Sequence, residues 1–389
     1  MSLPDRAKHN GRVVIVTLKE FPGHFFPEGK NYARCLCEAG RRVTVIAPRY
    51  PGQLDKETAG GLEIIRPLKA GRLRFKLLFP LAAFIIRKLN PESVIVFWEP
   101  GAAVVSWLLP GGKTVKLCDF RTGAINDGIK GRVIDGLIRF EARFFDGVMT
   151  IDRALGDKLF GAAFKRPVFY LPMGLDYGAC QAALQPAERE RLRAGLGFSP
   201  GQVIGIYVGT SYRRELEKFF AAVALANRTA PDLRVLVVGD VASDAALMGR
   251  ETVRRLVASG IVTLAGGRPF AELVKYLKAA DFGICFVPQR PYFDKQTSTK
   301  IKEYSACALP VVTTATAANR QLVGHGAAGL VAEDDPESFA AALTEMVGRL
   351  GFFRAGAAAG RTSFASYDWA ELVRRHLLPV LAQFSREEG

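Results

Sequence analysis

Long hydrophobic runs are scarce in this sequence. The longest covers residues 77–86, about half of the ~20 residues that a membrane-spanning helix needs. A transmembrane helix is therefore not expected, and the first residues contain no apolar signal core. Histidine is equally scarce, with four in 389 residues: His9, His24, His325 and His376. Chemistry that depends on several imidazoles is thereby disfavoured. Of the six cysteines, Cys35 and Cys37 are too close in sequence for a zinc knuckle, and Cys118, Cys180, Cys285 and Cys307 are scattered. A disulfide framework or a cysteine metal site is therefore not expected, and the pattern reads as reduced, buried thiols. Low-complexity tracts are missing too, which excludes extensive disorder.

What is present is ordinary globular composition, with 49% hydrophobic and 23% charged residues. The length implies two or three domains. The net charge of +15 is unevenly spread. Residues 1–180 hold 28 Lys and Arg against 17 Asp and Glu, and the remainder holds 25 against 21. A basic first half points to an anionic partner: nucleic acid, a phosphorylated substrate or a membrane surface. The bland alternative is a solubilising excess of charge.

Short runs rich in β-branched residues recur at 13–17, 43–47, 64–65, 94–97, 115–118, 148–151 and 168–171. They read as buried strands of a parallel sheet. Amphipathic stretches lie between them. In 132–145, Val133, Leu137, Phe140 and Phe144 share one face, which predicts a helix packed through that face. The pattern changes around 174–202, where a polar stretch and a turn-rich segment mark a domain connection. A second series follows, with strands expected at 204–208, 235–238, 262–264, 283–287, 311–313 and 330–331. Asp335-Pro336 reads as an N-cap with proline at the first helical position, and 369–384 reads as a terminal helix. The expected fold class is α/β, with two doubly wound Rossmann-like domains over 1–175 and 176–368, and 369–389 returning to the first domain. In such folds ligands bind beyond the carboxyl ends of the strands.

Two segments of the second domain carry anion-binding chemistry. One is a strand, a loop, and a helix predicted over 299–308, for which Thr297 or Ser298 is a natural N-cap. The start of that helix presents free backbone N–H groups to a phosphate, and Ser298 and Thr299 add hydroxyls. Lys300 in the first turn opposes the helix dipole, which suggests a ligand that offsets it. Glu303, about one turn on, can accept hydrogen bonds from ribose hydroxyls. The other segment is Tyr207-Val208-Gly209-Thr210-Ser211-Tyr212-Arg213-Arg214. Gly209 permits close backbone approach, Thr210 and Ser211 supply hydroxyls, and Arg213 and Arg214 can fork onto phosphate oxygens. It is neither a dinucleotide glycine fingerprint nor a Walker loop.

In the first domain, Asp119 and Arg121 follow a strand, Glu99 follows another, and His24, Glu28 and Lys30 follow the first. They are candidates to line an acceptor site, with His24 as a base and Asp119 and Arg121 beside it. The stretch 69–88 carries Lys69, Arg72, Arg74, Lys76, Arg87 and Lys88 around its apolar run. Attraction to anionic headgroups is expected there, and Pro80 is expected to interrupt any continuous helix.

These segments together resemble the large GT-B family of retaining, nucleotide-sugar-dependent glycosyltransferases (glycosyl transferases group 1, family 4 type). The resemblance covers almost the whole chain and is clearest after Ile204. Ser298-Thr299-Lys300-Ile301-Lys302-Glu303-Tyr304 followed by Leu309-Pro310-Val311-Val312 resembles the family's donor helix. Tyr276 through Asp281, Pro172 through Asp176, Glu141 through Asp152 and Tyr367-Asp368-Trp369 resemble its other segments. The chain departs from the family at Lys295, where members often have the first glutamate of a Glu-x7-Glu pair ending at Glu303. It departs again at Thr210, where many have a diphosphate arginine; Arg213 and Lys218 keep that Arg-x4-Lys spacing further on. No Asp-x-Asp metal signature is evident.

The resemblance implies a UDP- or GDP-sugar donor, no cofactor or metal, and a saccharide or lipid-linked acceptor. Transfer would proceed with retention on closure of the two domains, in envelope or exopolysaccharide assembly. The expected location is cytoplasmic, with attraction to the inner face of the membrane and no nucleic-acid partner. A nucleotide-sugar epimerase and a non-catalytic GT-B binding protein are the rival readings.

Overall fold

The computed structural model describes residues 11–23, 26–109, 114–123, 128–294, 298–324 and 328–386. The chain divides into two compact units, residues 1–174 with 369–389, and residues 175–368.

The first unit is an eight-stranded sheet of order β3-β4-β2-β1-β5-β6-β7-β8. Its strands are β1 (Arg12–Val16), β2 (Arg42–Ile46), β3 (Lys56–Ala59), β4 (Leu62–Ile65), β5 (Ser93–Phe97), β6 (Val115–Phe120), β7 (Gly147–Thr150) and β8 (Val168–Tyr170). All pairings are parallel except β3 with β4. The central strands are buried on both faces, as parallel sheets covered by helices require. One face packs Ile15, Val45 and Ile95 against helix α1 (Pro27–Glu38) and the terminal segment, through Trp369, Leu372, Val373 and Leu377. The other packs Val14, Val16, Val94 and Val96 under α2 (Arg72–Leu89), α3 (Ala103–Leu108), α4 (Ile129–Ala142) and α5 (Arg153–Leu159).

Two expectations about these helices are corrected. Pro80 lies inside α2, which continues through it. Burial of Leu78 and Phe79 before it and of Ala82, Ala83 and Ile86 after it holds both halves against the core and offsets the lost hydrogen bond. In α4, Val133, Phe140 and Phe144 are exposed, not packed. The helix turns inward through Gly131, Ile138, Glu141 and Ala142. Glu141 sets that rotation, because its buried carboxylate accepts the backbone N–H groups of Gly101 at 2.7 Å and Ala103 at 3.3 Å at the start of α3.

The second unit is an all-parallel, six-stranded sheet of order β11-β10-β9-β12-β13-β14. Its strands are β9 (Val203–Val208), β10 (Leu233–Val238), β11 (Val262–Gly266), β12 (Phe282–Cys285), β13 (Val311–Thr314) and β14 (Gly329–Ala332). Every strand expected from the sequence is present, along with the unexpected β3. Asp335 caps its helix as expected, accepting from Ser338 N at 2.8 Å, with Pro336 at the first helical position. Asp281, the last residue of the segment from Tyr276, anchors the base of this sheet. It takes a backbone bond from Ile204 at 2.7 Å and pairs with Arg189 and Arg193 at 2.7 Å and with Arg354. Cys35, Cys118, Cys180 and Cys285 are buried, and all six cysteines are free thiols. Among the described residues no helix is long and apolar enough to cross a membrane.

Candidate functional site

In the second unit the chain leaves β9 toward β10 and β11, then returns to build β12, β13 and β14 on the other side of β9. The connections after β9 and β12 therefore diverge, and a crevice opens at their carboxyl ends. Tyr304, on helix Thr299–Ala306, seals its floor. Its hydroxyl accepts from Val208 N and donates to Ile284 O, both at 3.1 Å. The ring lies over Gly283, where a Cβ would come within 2.3 Å of it. Tyr304→Phe should strand both backbone groups and cost about 1–3 kcal/mol of stability. Urea denaturation checks this, and an unchanged midpoint would show that the hydroxyl is not needed.

The loop after β9 is tightly held. Gly209 N donates to Val238 O at 3.0 Å, and Tyr207 donates its hydroxyl to Thr210 O at 3.1 Å. Gly239, at φ +137°, lies so close that a Cβ there would stand 1.8 Å from the Gly209 carbonyl oxygen. Beyond Thr210, Arg213 and Glu215 both adopt left-handed backbone, at φ +56° and +49°. Two such non-glycine residues in one short loop store strain, which accumulates where a ligand must be gripped. Arg214 lies over the Phe293 ring at 4.4 Å, and Arg213 lies over Tyr212 at 5.5 Å. Glu215 pairs with Lys218 at 3.0 Å and Arg290 at 2.7 Å, and Lys218 also reaches Asp334 at 3.4 Å. The Arg-x4-Lys spacing thus ends on a lysine already held by two carboxylates.

Ser298 occupies the N-cap position of helix Thr299–Ala306, but its side chain makes no capping bond. Its hydroxyl lies 3.2 Å from the Cys285 sulfur instead, so Ser298 does not cap as expected. The alternative, Thr297, and Lys295 fall outside the described residues. Among the described residues, the N-cap side chain gives the first turn of this helix no hydrogen bond. Lys300 does not wait for a ligand to offset it: its ammonium pairs with Glu303 at 2.9 Å. Glu303 itself is buried, at 8% exposure. The Cys285 thiol is pushed up by burial, with Ser298 and Thr313 opposing, and both Arg214 and Lys300 act on it as well. Arg214, over the Phe293 ring, and Lys300, in the first turn of helix Thr299–Ala306 and paired with the buried Glu303, thus lie in the segments that follow the carboxyl ends of β9 and β12. That set suits a phosphate dianion carrying a hydroxyl-bearing group.

In the first unit the corresponding switch lies between β1 and β5. Asp119, at the end of β6, is fully buried. It accepts from Arg121 Nη2 at 2.6 Å and from the Tyr32 hydroxyl at 3.1 Å. Arg121 also donates to Leu171 O at 3.1 Å and lies 5.2 Å over the Tyr32 ring. Burial pushes the Asp119 carboxyl up, with Glu28 adding and Lys19 opposing. Burial likewise pulls Arg121 down to about 10, with Glu28 opposing. Glu99 is half-buried and also pushed up by burial, against Lys19. Lys19, Glu28, Glu99, Asp119 and Arg121 therefore form one electrostatic group. His24 lies outside the described residues, and Lys30 is exposed.

Sequence reasoning missed Tyr304 as a keystone, Glu215, Arg290 and Asp334 as the frame of the β9 loop, and Lys19 and Tyr32 around Asp119. Only Tyr304 left a readable signal, as a polar aromatic one residue beyond Glu303. Arg290 meets Glu215 across 75 residues of chain, Tyr32 meets Asp119 across 87, and Asp334 meets Lys218 across 116.

Residues 202–349 match the family model described as glycosyl transferases group 1. No curated protein sequence matches the chain. Among solved structures, the chain resembles sucrose-phosphate synthase from Thermosynechococcus elongatus at 16% identity and TM-score 0.72, over 97% of this chain and 99% of that one. A glycosyltransferase from Rickettsia africae aligns at 14% identity and TM-score 0.76, over 97% and 99%. Anabaena HepE, solved in complex with UDP-glucose, aligns at 15% identity and TM-score 0.71, over 96% and 100%.

Proposed function

We propose that this chain, whose residues 202–349 match the glycosyl transferases group 1 family model, is a GT-B glycosyltransferase that moves a hexosyl group from a UDP- or GDP-sugar to a saccharide or lipid-linked acceptor. The observation that carries the reading is the placement of Arg214, over Phe293, and of the Lys300–Glu303 pair, on helix Thr299–Ala306, in the segments that follow β9 and β12 at the switch point of the second sheet. Glu303 takes the ribose hydroxyls. Lys300, Arg214 and the helix N–H groups take the diphosphate, with Gly209, Thr210, Ser298 and Thr299 lining its approach and Arg213 at the loop's outer edge. HepE's complex with UDP-glucose supports a nucleotide-sugar donor on this fold.

The reaction breaks the bond from the anomeric carbon to the diphosphate oxygen, whose electrons stay on the departing phosphate. The acceptor oxygen forms the new bond, and its proton passes to the diphosphate. Retention follows if attack and departure share one face of the sugar. Charge builds on the diphosphate as it leaves, where pre-placed cations lower the barrier most directly. In the first unit, the Asp119–Arg121 pair is committed to Tyr32 and Leu171. It acts as a positioning pair beside Glu99, whose neighbour Trp98 donates its backbone N–H to Asp119 O at 3.0 Å, and Glu99 orients the acceptor hydroxyl.

The enzyme works in envelope or exopolysaccharide assembly, at the inner face of the membrane. Because side-chain cations serve the diphosphate, turnover should persist in EDTA; loss of turnover that magnesium or manganese restores would contradict this. A thermal-shift panel of nucleotide sugars tests the donor assignment. Stabilisation by UDP- or GDP-sugars is expected, and stabilisation by none would overturn it. Donor binding without any turnover would favour a non-catalytic binding protein, a reading motivated by Lys295 in place of the first glutamate.

A further inference from the structure

The described residues include ten large apolar side chains that stand in solvent, and seven of them lie on three helices of the first unit: Leu77 and Phe84 on α2, Trp107 on α3, and Ile129, Val133, Phe140 and Phe144 on or just after α4. The three helices form one layer on one face of the sheet. Ser106 of α3 bonds the carbonyl of Phe144 and so ties α3 to the end of α4. Their outward faces belong to the same side of the unit. α4 is apolar on two opposite faces. Ile138 and Ala142 enter the core, whereas Val133 (64% exposed) and Phe140 (56% exposed) point the other way. A soluble helix normally keeps one apolar face, so the second needs a partner.

The surroundings of this face select that partner. Arg132, Arg139 and Arg143 follow one edge of α4 and are exposed, as are Lys130 at its start and Arg87 and Lys88 at the end of α2. Lys88 also sits 4.4 Å over the Phe84 ring. Beside α4 opens a cavity of about 900 Å³, lined by Arg139, Arg143, Lys158, Lys165 and Arg166 with Asp157 as its one carboxylate. A second copy of the chain would bring this basic rim against itself. An anionic bilayer offers the complement: acyl chains for the aromatic face, headgroup phosphates for the rim and cavity, and an interface that tryptophan prefers.

We propose that the outer face of α2, α3 and α4 is a docking surface for an anionic lipid bilayer, with the cavity beside α5 receiving headgroup phosphates. The proposal deepens the membrane placement given above and rests on that reading. It moves the main contact from the first turns of α2 to α4.

Co-sedimentation with vesicles of phosphatidylcholine, with and without phosphatidylglycerol, tests it. The full chain should sediment with the anionic vesicles and much less with neutral ones, and high salt should weaken binding. Val133→Ser with Phe140→Ser should reduce partitioning at least about tenfold, since two apolar side chains no longer leave water. Lys165→Glu with Arg166→Glu should also reduce it at least about tenfold and remove most of the salt dependence. Both variants should retain wild-type thermal stabilisation by nucleotide sugars, so failure here is separable from failure of the transferase reading. Equal recovery on neutral and anionic vesicles would overturn the proposal. So would full binding by both variants, or binding lost only when Arg72, Arg74 and Lys76 are neutralised. A wild-type dimer that Val133→Ser with Phe140→Ser dissociates, with no vesicle binding, would assign the face to a second copy.

Discussion

Replacing Lys300 with alanine should lower kcat by about 10²–10³, with a much smaller change in donor affinity. The reasoning is electrostatic. Lys300 meets Glu303 at 2.9 Å and acts, with Arg214, on the buried Cys285 thiol. Its ammonium is partly exposed and stands beside the buried Glu303 carboxylate, where the field of a cation is less screened than in open water. In the ground state the diphosphate charge is shared with the sugar bond, and in the transition state it rises on the departing oxygens. A cation fixed beforehand gains most from that rise. Single-turnover kinetics separates the two quantities. A variant that loses donor affinity as much as rate would place Lys300 in ground-state binding only. Circular dichroism verifies that the variant is folded, because Glu303 loses its cation.

The second large effect is on binding. Glu303→Ala should weaken nucleotide-sugar affinity by about 1–3 kcal/mol, the usual cost of losing a charged hydrogen bond. Glu303 is held on a short helix pinned by Tyr304 to both Val208 and Ile284. Its carboxylate is thus presented at a fixed place, and ribose hydroxyls can donate to it without ordering cost. Glu303→Gln keeps the shape and an acceptor and should fall between wild type and Glu303→Ala. Isothermal titration measures all three. Equal affinities would remove Glu303 from the donor site.

The fold was legible because parallel strands buried on both faces must be continuous and β-branched, as 94–97 and 235–238 are. The strand Lys56–Ala59 was not, because it is a largely exposed antiparallel edge whose Lys-Glu-Thr-Ala carries no apolar alternation. The inward face of α4 was misread because hydrophobic spacing cannot tell which of two apolar faces is buried. The choice was made by Glu141, whose carboxylate takes two N–H groups from α3. The segments that follow β9 and β12 could be located, since a glycine or hydroxyl after a strand and a cation in a first turn are local signals. Their internal pairings could not. Lys300 was read as awaiting an anion, whereas Glu303, three residues away, already offsets it. Lys218 was read by spacing alone, whereas Asp334, 116 residues on, claims it.

The central claim is that a sugar leaves its nucleotide in the second unit with the help of side-chain cations. Release of nucleoside diphosphate tests it most directly, measured with a panel of UDP- and GDP-sugars and by nuclear magnetic resonance of the sugar product. The account predicts diphosphate release by the wild type with at least one donor, and release lowered about 10²–10³-fold in Lys300→Ala. A donor that binds and is recovered intact, or a sugar epimerised while still attached to its nucleotide, would contradict it.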